Sequence, residues 1–296
     1  MDQRKQKYFA FTFMARLTHS YLNNAGLADP LFYNLFNRLF EDSLLFNTIV
    51  IFFSDHGIRF GAIRETLSGK IEERMPFMHI YVPKSMRNPN LTVNENRLTT
   101  PFDIHSTLKH IVDGKPDRSL KYGKSLLEEI PEDRSCQSIP ILEHWCSCQS
   151  SQPISDLTKV KTISEFVVKS VNQLVAEKYS EECVELTLKR TISAFEQHLS
   201  EKVLKFKDSL NDVIGRHVIY GEKSAELFKH FLITLEVSPS DALFEATVSV
   251  THKKEMSVLG DVSRINIYGN QSVCVDNQFI RRYCFCKNQL KPWNLL

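Results

Sequence analysis

Two hydrophobic rhythms divide this chain. In its first third, short apolar runs that stop abruptly at polar residues alternate with stretches of three-and-four spacing. Tyr8-Phe-Ala-Phe-Thr-Phe-Met14 has strand length and predicts a buried strand, with the polar residues Arg16 to His19 as a loop at its end. Asp29-Pro30 has the form of a helix start, an acid to cap free amides and a proline for the first helical position. Leu31, Leu35, Phe36, Leu39, Phe40 and Leu44 then recur on one face, which predicts an amphipathic helix to about Leu45. Thr48 to Phe53 reads as a buried strand that ends in Ser54, Asp55, His56 and Gly57. Strand, helix and strand in this order predict a right-handed parallel crossover. Such a crossover sets His19 and the Asp55/His56 pair at the same edge of a sheet, where α/β folds place their sites. A carboxylate beside an imidazole at that edge is positioned to hold a divalent metal, although Asp-His-Gly is also ordinary turn chemistry.

Beyond Gly57 the chain is polar and irregular to Lys70, with a strand expected at Pro76 to Val82 and a helix at Phe102 to Val112. From Pro153 the rhythm changes. A helix of roughly Ser155 to Lys178 carries Val160, Ile163, Val167, Val171 and Leu174 on one face. β-rich runs follow at Val184 to Leu188, His230 to Val237, Ala242 to Val250 and Arg264 to Tyr268, and these predict an antiparallel sheet. The expected organisation is an α/β region over residues 1–150 and an α+β, β-rich subdomain over 151–296.

Composition narrows the partners. A net charge of +2 over 296 residues gives no electrostatic case for nucleic acid. No window approaches the roughly 18 apolar residues of a membrane span. The amino-terminal apolar run is short, contains Thr12 and meets Arg16, so it lacks the shape of a signal peptide. The seven cysteines point the other way. All lie beyond residue 135, two of the pairs are Cys-x-Cys (Cys146/Cys148 and Cys284/Cys286), and that spacing suits a disulfide set better than a zinc finger. Two acceptor triplets for N-glycosylation begin at Asn90 and Asn270. An extracellular or secretory setting is therefore expected, with one cysteine left free or paired outside the chain.

The run Asn47-Thr-Ile-Val-Ile-Phe-Phe-Ser-Asp-His-Gly57 resembles the second metal motif of the alkaline phosphatase and sulfatase superfamily. Lys70, followed by Glu72, Glu73, Arg74 and Pro76, resembles the sulfatase segment whose lysine contacts the ester. Asp103-Ile-His-Ser-Thr107-Leu and Gly123-Lys-Ser-Leu126 are similar to later sulfatase motifs. More narrowly, Ser54 to Thr66, Glu72 to Pro76, Arg97 to Leu108 and Arg134 to Cys148 look like an animal family called domain of unknown function 229, expanded in nematodes.

The resemblance implies a partial sulfatase-like, mixed and mostly parallel sheet flanked by helices. It implies Asp55 and His56 as metal ligands, and His19 and Lys70 as contacts for the substrate anion. The metal would be calcium if the site is sulfatase-type, or zinc or manganese if phosphatase-type. The substrate would be a small anionic ester or a sulfated glycan. His105 sits where sulfatases vary, His79 and His110 read as structural or surface groups, and Arg59 and Arg64 as solvated loop charges or anion partners. Only 54 residues precede Asp55, too few for the nucleophile and first carboxylate ligands that such enzymes carry upstream. The chain is accordingly expected to be the carboxyl-terminal part of such a hydrolase, without covalent turnover. The alternative is a non-catalytic secreted binding or structural domain derived from the same fold.

Overall fold

The computed structural model describes residues 7–199 and 228–290, as two compact units. Helices and strands mix, as the α/β reading expects, but every described strand pair is antiparallel.

The first unit takes in residues up to Ser54 and Phe77–Met86. Its elements are α1 (Ala15–Thr18), α2 (Ala25–Glu41), β1 (Val50–Phe53) and β2 (Met78–Tyr81). Two expectations fail here. Residues 8–14 form no strand, and Tyr8, Phe9, Phe11 and Phe13 are each more than 60% exposed (66%, 68%, 66% and 64%). A strand apolar on both faces needs neighbours on both faces, and among the described residues none pairs with this one. Without it the parallel crossover is lost, and β1 pairs with β2 instead, from Val50 opposite Tyr81 to Phe53 opposite Met78. The helix also begins before Asp29-Pro30. Leu22–Asn24 forms a tight turn that runs into α2 at Ala25, so Pro30 lies inside the helix and Asp29 caps nothing. Phe32 and Phe36 of α2 pack on Phe52 of β1, and Phe40 packs on Tyr81 of β2. These ring contacts hold helix to hairpin.

The second unit takes in Asp55–Pro76 and everything from Arg87. It contains α3 (Leu67–Arg74), α4 (Pro89–Asn94), α5 (Pro101–Asp113) and α6 (Lys161–Tyr179). Its sheet runs in the order β3 (Gln149–Pro153), β4 (Thr187–Leu199), β5 (Phe228–Ser238), β6 (Ala242–Thr251), β7 (Met256–Val258), with β8 (Ser263–Arg264) also on β6. The antiparallel sheet expected in this part of the chain is present, although the strand expected at 264–268 shrinks to two residues.

Helix α5 shows how local sequence positions an element. Thr100 and Asp103 form a reciprocal capping box, Pro101 takes the first turn, and Gly114 closes the helix with φ of 70°. Asp103 is fully buried and does more than cap: Arg134 grips both its oxygens at 2.8 and 2.9 Å, and the Lys124 amide donates to it at 2.8 Å. Gly123 is needed at that contact, because a Cβ there would lie 2.3 Å from the Phe102 carbonyl oxygen.

The sheet has two unlike faces, set by the period of two along each strand. Ala194, Ile233, Leu235, Phe244, Ala246 and Val248 share one core with Val160, Ile163, Val167, Val171 and Val175, on or just before α6. The intervening residues Ser193, Thr234, Glu245 and Thr247 face the other way and make polar contacts.

Three disulfides brace this unit: Cys136–Cys146, Cys183–Cys284 and Cys274–Cys286. Neither Cys-x-Cys pair bonds within itself, and Cys148 is the odd thiol, half-buried, its pKa raised by burial. Among the described residues no helix is long and apolar enough to cross a membrane.

Candidate metal and anion site

The chain leaves β1 at Phe53, and the next residues form the turn that the sequence marked out. Ser54 donates its amide to the Phe77 carbonyl at 3.1 Å, which ends the pairing with the hairpin partner. Asp55 then projects to solvent with a side chain 55% exposed, and His56 is 32% exposed. Their ligand atoms, Oδ2 of Asp55 and Nε2 of His56, stand 3.6 Å apart. The other ring nitrogen of His56 lies 2.7 Å from the Gly57 carbonyl oxygen. A metal-ligating histidine commonly donates its second ring N–H to a carbonyl or carboxylate, and the Gly57 carbonyl is within reach for that here.

Gly57 is required for a physical reason. A Cβ there would sit 2.2 Å from the Glu72 carbonyl oxygen, and the Gly57 amide donates to the Glu73 carbonyl at 3.1 Å. The turn therefore lies directly against the backbone of α3.

Two donors are one short of the three that a catalytic metal centre usually draws from its protein. The groups of three or more clustered His, Cys, Asp and Glu side chains among the described residues are cysteines, and their members include disulfide sulfurs. The donor types of Asp55 and His56 suit a divalent cation, but the described residues alone do not complete its shell.

His19 follows α1 in the first unit, exposed, with Nδ1 3.2 Å from the Ser20 hydroxyl. Lys70 belongs to the second unit and is buried, 1% exposed. Its ammonium donates to the Thr234 hydroxyl at 3.0 Å and to Ser193 at 3.4 Å, stands 3.5 Å from Glu245 and lies 4.7 Å from the centre of the Phe195 ring. His105 is exposed on α5, His79 is exposed on β2, and His110 pairs with the Ser125 hydroxyl at 2.8 Å. Asn90 is half-buried with its amide on the Leu127 carbonyl at 2.9 Å, whereas Asn270 is exposed in a turn.

Lys70 is one member of an interior ionic cluster that local reading of the chain missed. Glu245 of β6, fully buried, receives Arg74 at 2.7 Å and Arg64 at 3.3 Å on one oxygen, while Lys70 faces the other. Arg64 also pairs with Glu73. Burial by itself would raise the Glu245 carboxyl, but Arg74, Lys70 and Arg64 outweigh it and hold it below the usual carboxylate range. Glu73 goes the other way: burial, helped by Glu245 and opposed by Arg64, pushes it up to about 7. Lys70 is lowered by burial against the pull of Glu245. His144, buried between the Thr247 and Ser263 hydroxyls at 3.1 Å each, is pushed down to about 4 by burial and by Arg74. The sequence signal was available in one place: Glu245 is the charged residue of the β-rich run Ala242 to Val250, and a buried acid has to find cations.

A family model described as "Protein of unknown function (DUF229)" matches residues 1–192, more than half of the chain. The chain belongs to the DUF229 family. It is also 40% identical over 99 residues to a protein of Caenorhabditis elegans described as "Putative extracellular sulfatase Sulf-1 homolog". That match takes in 32% of this chain and 13% of the relative, so the DUF229 chain corresponds to a small part of that protein's length. Together the two matches make it a sulfatase-like family member. No solved structure matches it.

Proposed function

We propose that this DUF229 chain contributes part of the ester-binding wall of a secreted sulfatase-like hydrolase acting on sulfate or phosphate esters. The observation that carries the reading is the turn after β1, where Asp55 and His56 bring two ligand atoms within 3.6 Å of each other, backed by a glycine packed closely on α3. In this reading residues 1–150 are the carboxyl-terminal portion of the hydrolase fold and 151–296 a braced subdomain. Asp55 and His56 supply two ligands of a divalent metal whose remaining donors lie outside the described residues. Such a metal would neutralise charge developing on the ester oxygens. His19 and Lys70 are the contacts for the anionic ester, and Asn90 and Asn270 are carbohydrate acceptors. The three disulfides and the extracellular relative support a secretory compartment.

The test is direct. Calcium, zinc and manganese are titrated into the purified chain by calorimetry, and aryl sulfate and aryl phosphate hydrolysis is assayed with each metal. Metal binding that Asp55→Asn and His56→Gln each weaken by tenfold or more is the expected result. Equal binding by both variants and the parent would overturn the assignment. A second reading, a non-catalytic secreted domain, is favoured by the interior engagement of Lys70 with Glu245. It predicts metal binding without hydrolysis of either ester.

A further inference from the structure

The odd thiol of the chain stands beside a disulfide. The Sγ atoms of Cys136, Cys146 and Cys148 all lie within 4.8 Å of one another. Cys136 and Cys146 are bonded and buried, whereas Cys148 is free and half-buried. The local backbone accounts for the grouping. The chain is extended at Cys146, and alternate residues of an extended chain share one side, so the Cys-x-Cys spacing brings two sulfurs to Cys136. The other cysteine group supplies a contrast. Cys183, Cys274 and Cys284 are equally close, with 3.8 Å between the sulfurs of Cys274 and Cys284, but each is already in a disulfide. Disulfides rearrange when a thiolate attacks one of their sulfurs. Among the described residues, the first group holds a thiol that can become that nucleophile and the second does not.

We propose that Cys136, Cys146 and Cys148 form a thiol–disulfide exchange site, in which the bond from Cys136 passes between Cys146 and Cys148. Cys148 gives its proton to water, and its thiolate attacks Sγ of Cys136. The Cys136–Cys148 bond forms as the Cys136–Cys146 bond breaks. Cys146 leaves as a thiolate and takes up a proton, so one disulfide and one thiol remain and no oxidant or reductant is consumed. Attack on Cys146 instead would bridge residues two apart, whose Cα atoms in extended backbone sit roughly 6.6 Å from each other, near the far limit of disulfide geometry. Moving the bond lengthens the sequence separation from 10 to 12 (148 − 136), which hardly alters the entropy of loop closure. Packing therefore sets the balance. With Cys146 bonded, the tie holds the turn Glu143–Trp145, where His144 lies between Thr247 and Ser263 and the Trp145 ring lies 6.0 Å from the Arg74 guanidinium. With Cys148 bonded, the tie sits one residue before β3, the edge strand paired with β4. The site selects which of the two, turn or sheet edge, is fastened to Cys136. Burial alone raises the Cys148 thiol, so the exchange is slow in neutral solution and quickens as pH rises.

The experiment follows the position of the free thiol. The purified, oxidised chain is held at about pH 7 or about pH 9, on either side of an ordinary thiol pKa. It is then quenched in acid, unfolded and labelled with a maleimide. Reduction and labelling with iodoacetamide follow, and fragmentation of the peptide containing Cys146 and Cys148 places each label. The maleimide is expected on Cys148 at first. During incubation about a tenth or more of it is expected to move to Cys146, faster at the higher pH and at a rate independent of protein concentration. A label already divided between the two at the outset supports the site equally. Maleimide confined to Cys148 at both pH values overturns the proposal. So does a rate proportional to protein concentration, or equal labelling of Cys183, Cys274, Cys284 and Cys286. Cys148→Ser is expected to abolish the label on Cys146; its persistence would mean that Cys148 is not the nucleophile and would overturn the site. Cys146→Ser is expected to fold with Cys136 bonded to Cys148 and without a reactive thiol, and two free thiols in the folded variant would count against the exchange. If Cys146→Ser does not fold, the label in the parent chain decides alone. No metal and no ester turnover are read, so the outcome is separate from that of the Asp55/His56 assignment.

Discussion

The stretch from Asp55 to Pro76 carries two kinds of charged site that differ in what holds them. Asp55 is exposed and His56 partly so, the imidazole standing 3.6 Å from the carboxylate and 2.7 Å from the Gly57 carbonyl. Arg64, Lys70, Glu73 and Arg74 are sequestered; Glu73 pairs with Arg64, and the three cations share Glu245, more than 170 residues further along. The first site keeps its chemistry exposed and inexpensive to change. In the second, burial and the neighbouring charges act together, so any unpaired charge is costly. The lesson is that similar residue types in one short segment serve ligand presentation in one place and tertiary attachment in the other.

The sharpest way to break this contrast is to remove the shared partner. Glu245→Ala is expected to destabilise the second unit by about 3–5 kcal/mol in chloride, because three buried cations lose their counter-charge. Urea denaturation checks this, and a loss under about 1 kcal/mol would mean that water reaches the cluster.

Next in size is a pair of opposed pH effects. Glu73 has its folded pKa raised from 4.5 to about 7, so the folded state holds the proton more tightly and stability falls as pH rises through that range. His144 is lowered from 6.5 to about 4, so the unfolded chain takes the proton first and stability rises as pH rises through that range. Each corresponds to about 3 kcal/mol at full span, and in the parent they largely cancel. Relative to the parent, Glu73→Gln is expected to tilt the stability profile upward with pH over this interval, and His144→Gln to tilt it downward. Unfolding curves at stepped pH read both slopes; identical profiles for the two variants would contradict the assignment.

Gly57→Ala tests where the two sites touch in the backbone. A methyl group pressed on the α3 carbonyl should cost about 1–3 kcal/mol and weaken metal binding at Asp55 and His56 as the turn shifts. Calorimetry and denaturation are measured on the same sample. The smallest effect is expected for Asp55→Asn, within about 0.5 kcal/mol, as for other exposed positions. A larger loss of stability there would give Asp55 a structural role.

Legibility followed the range of the forces involved. Helix α5 was readable because Thr100, Pro101, Asp103 and Gly114 each act within a few residues. The strands β5 and β6 were readable because their apolar runs have one outcome, burial. The segment 8–14 was not, since an apolar run becomes a strand only where a neighbour pairs with it, and none does among the described residues. The cysteine pairings were equally silent in the sequence: Cys183 meets Cys284 across 101 positions.

By itself, then, the amino-acid order determined the limits of α5, the runs that become β5 and β6, and that Gly57 follows an acid and an imidazole in a turn. These depend on backbone sterics, capping and hydrophobic period, all local. Only the tertiary structure decided that β1 runs antiparallel to its neighbour, that Lys70 turns inward, and that Glu245 answers three cations at once. Burial sets charge and partner there, and burial depends on which distant strand arrives beside a helix.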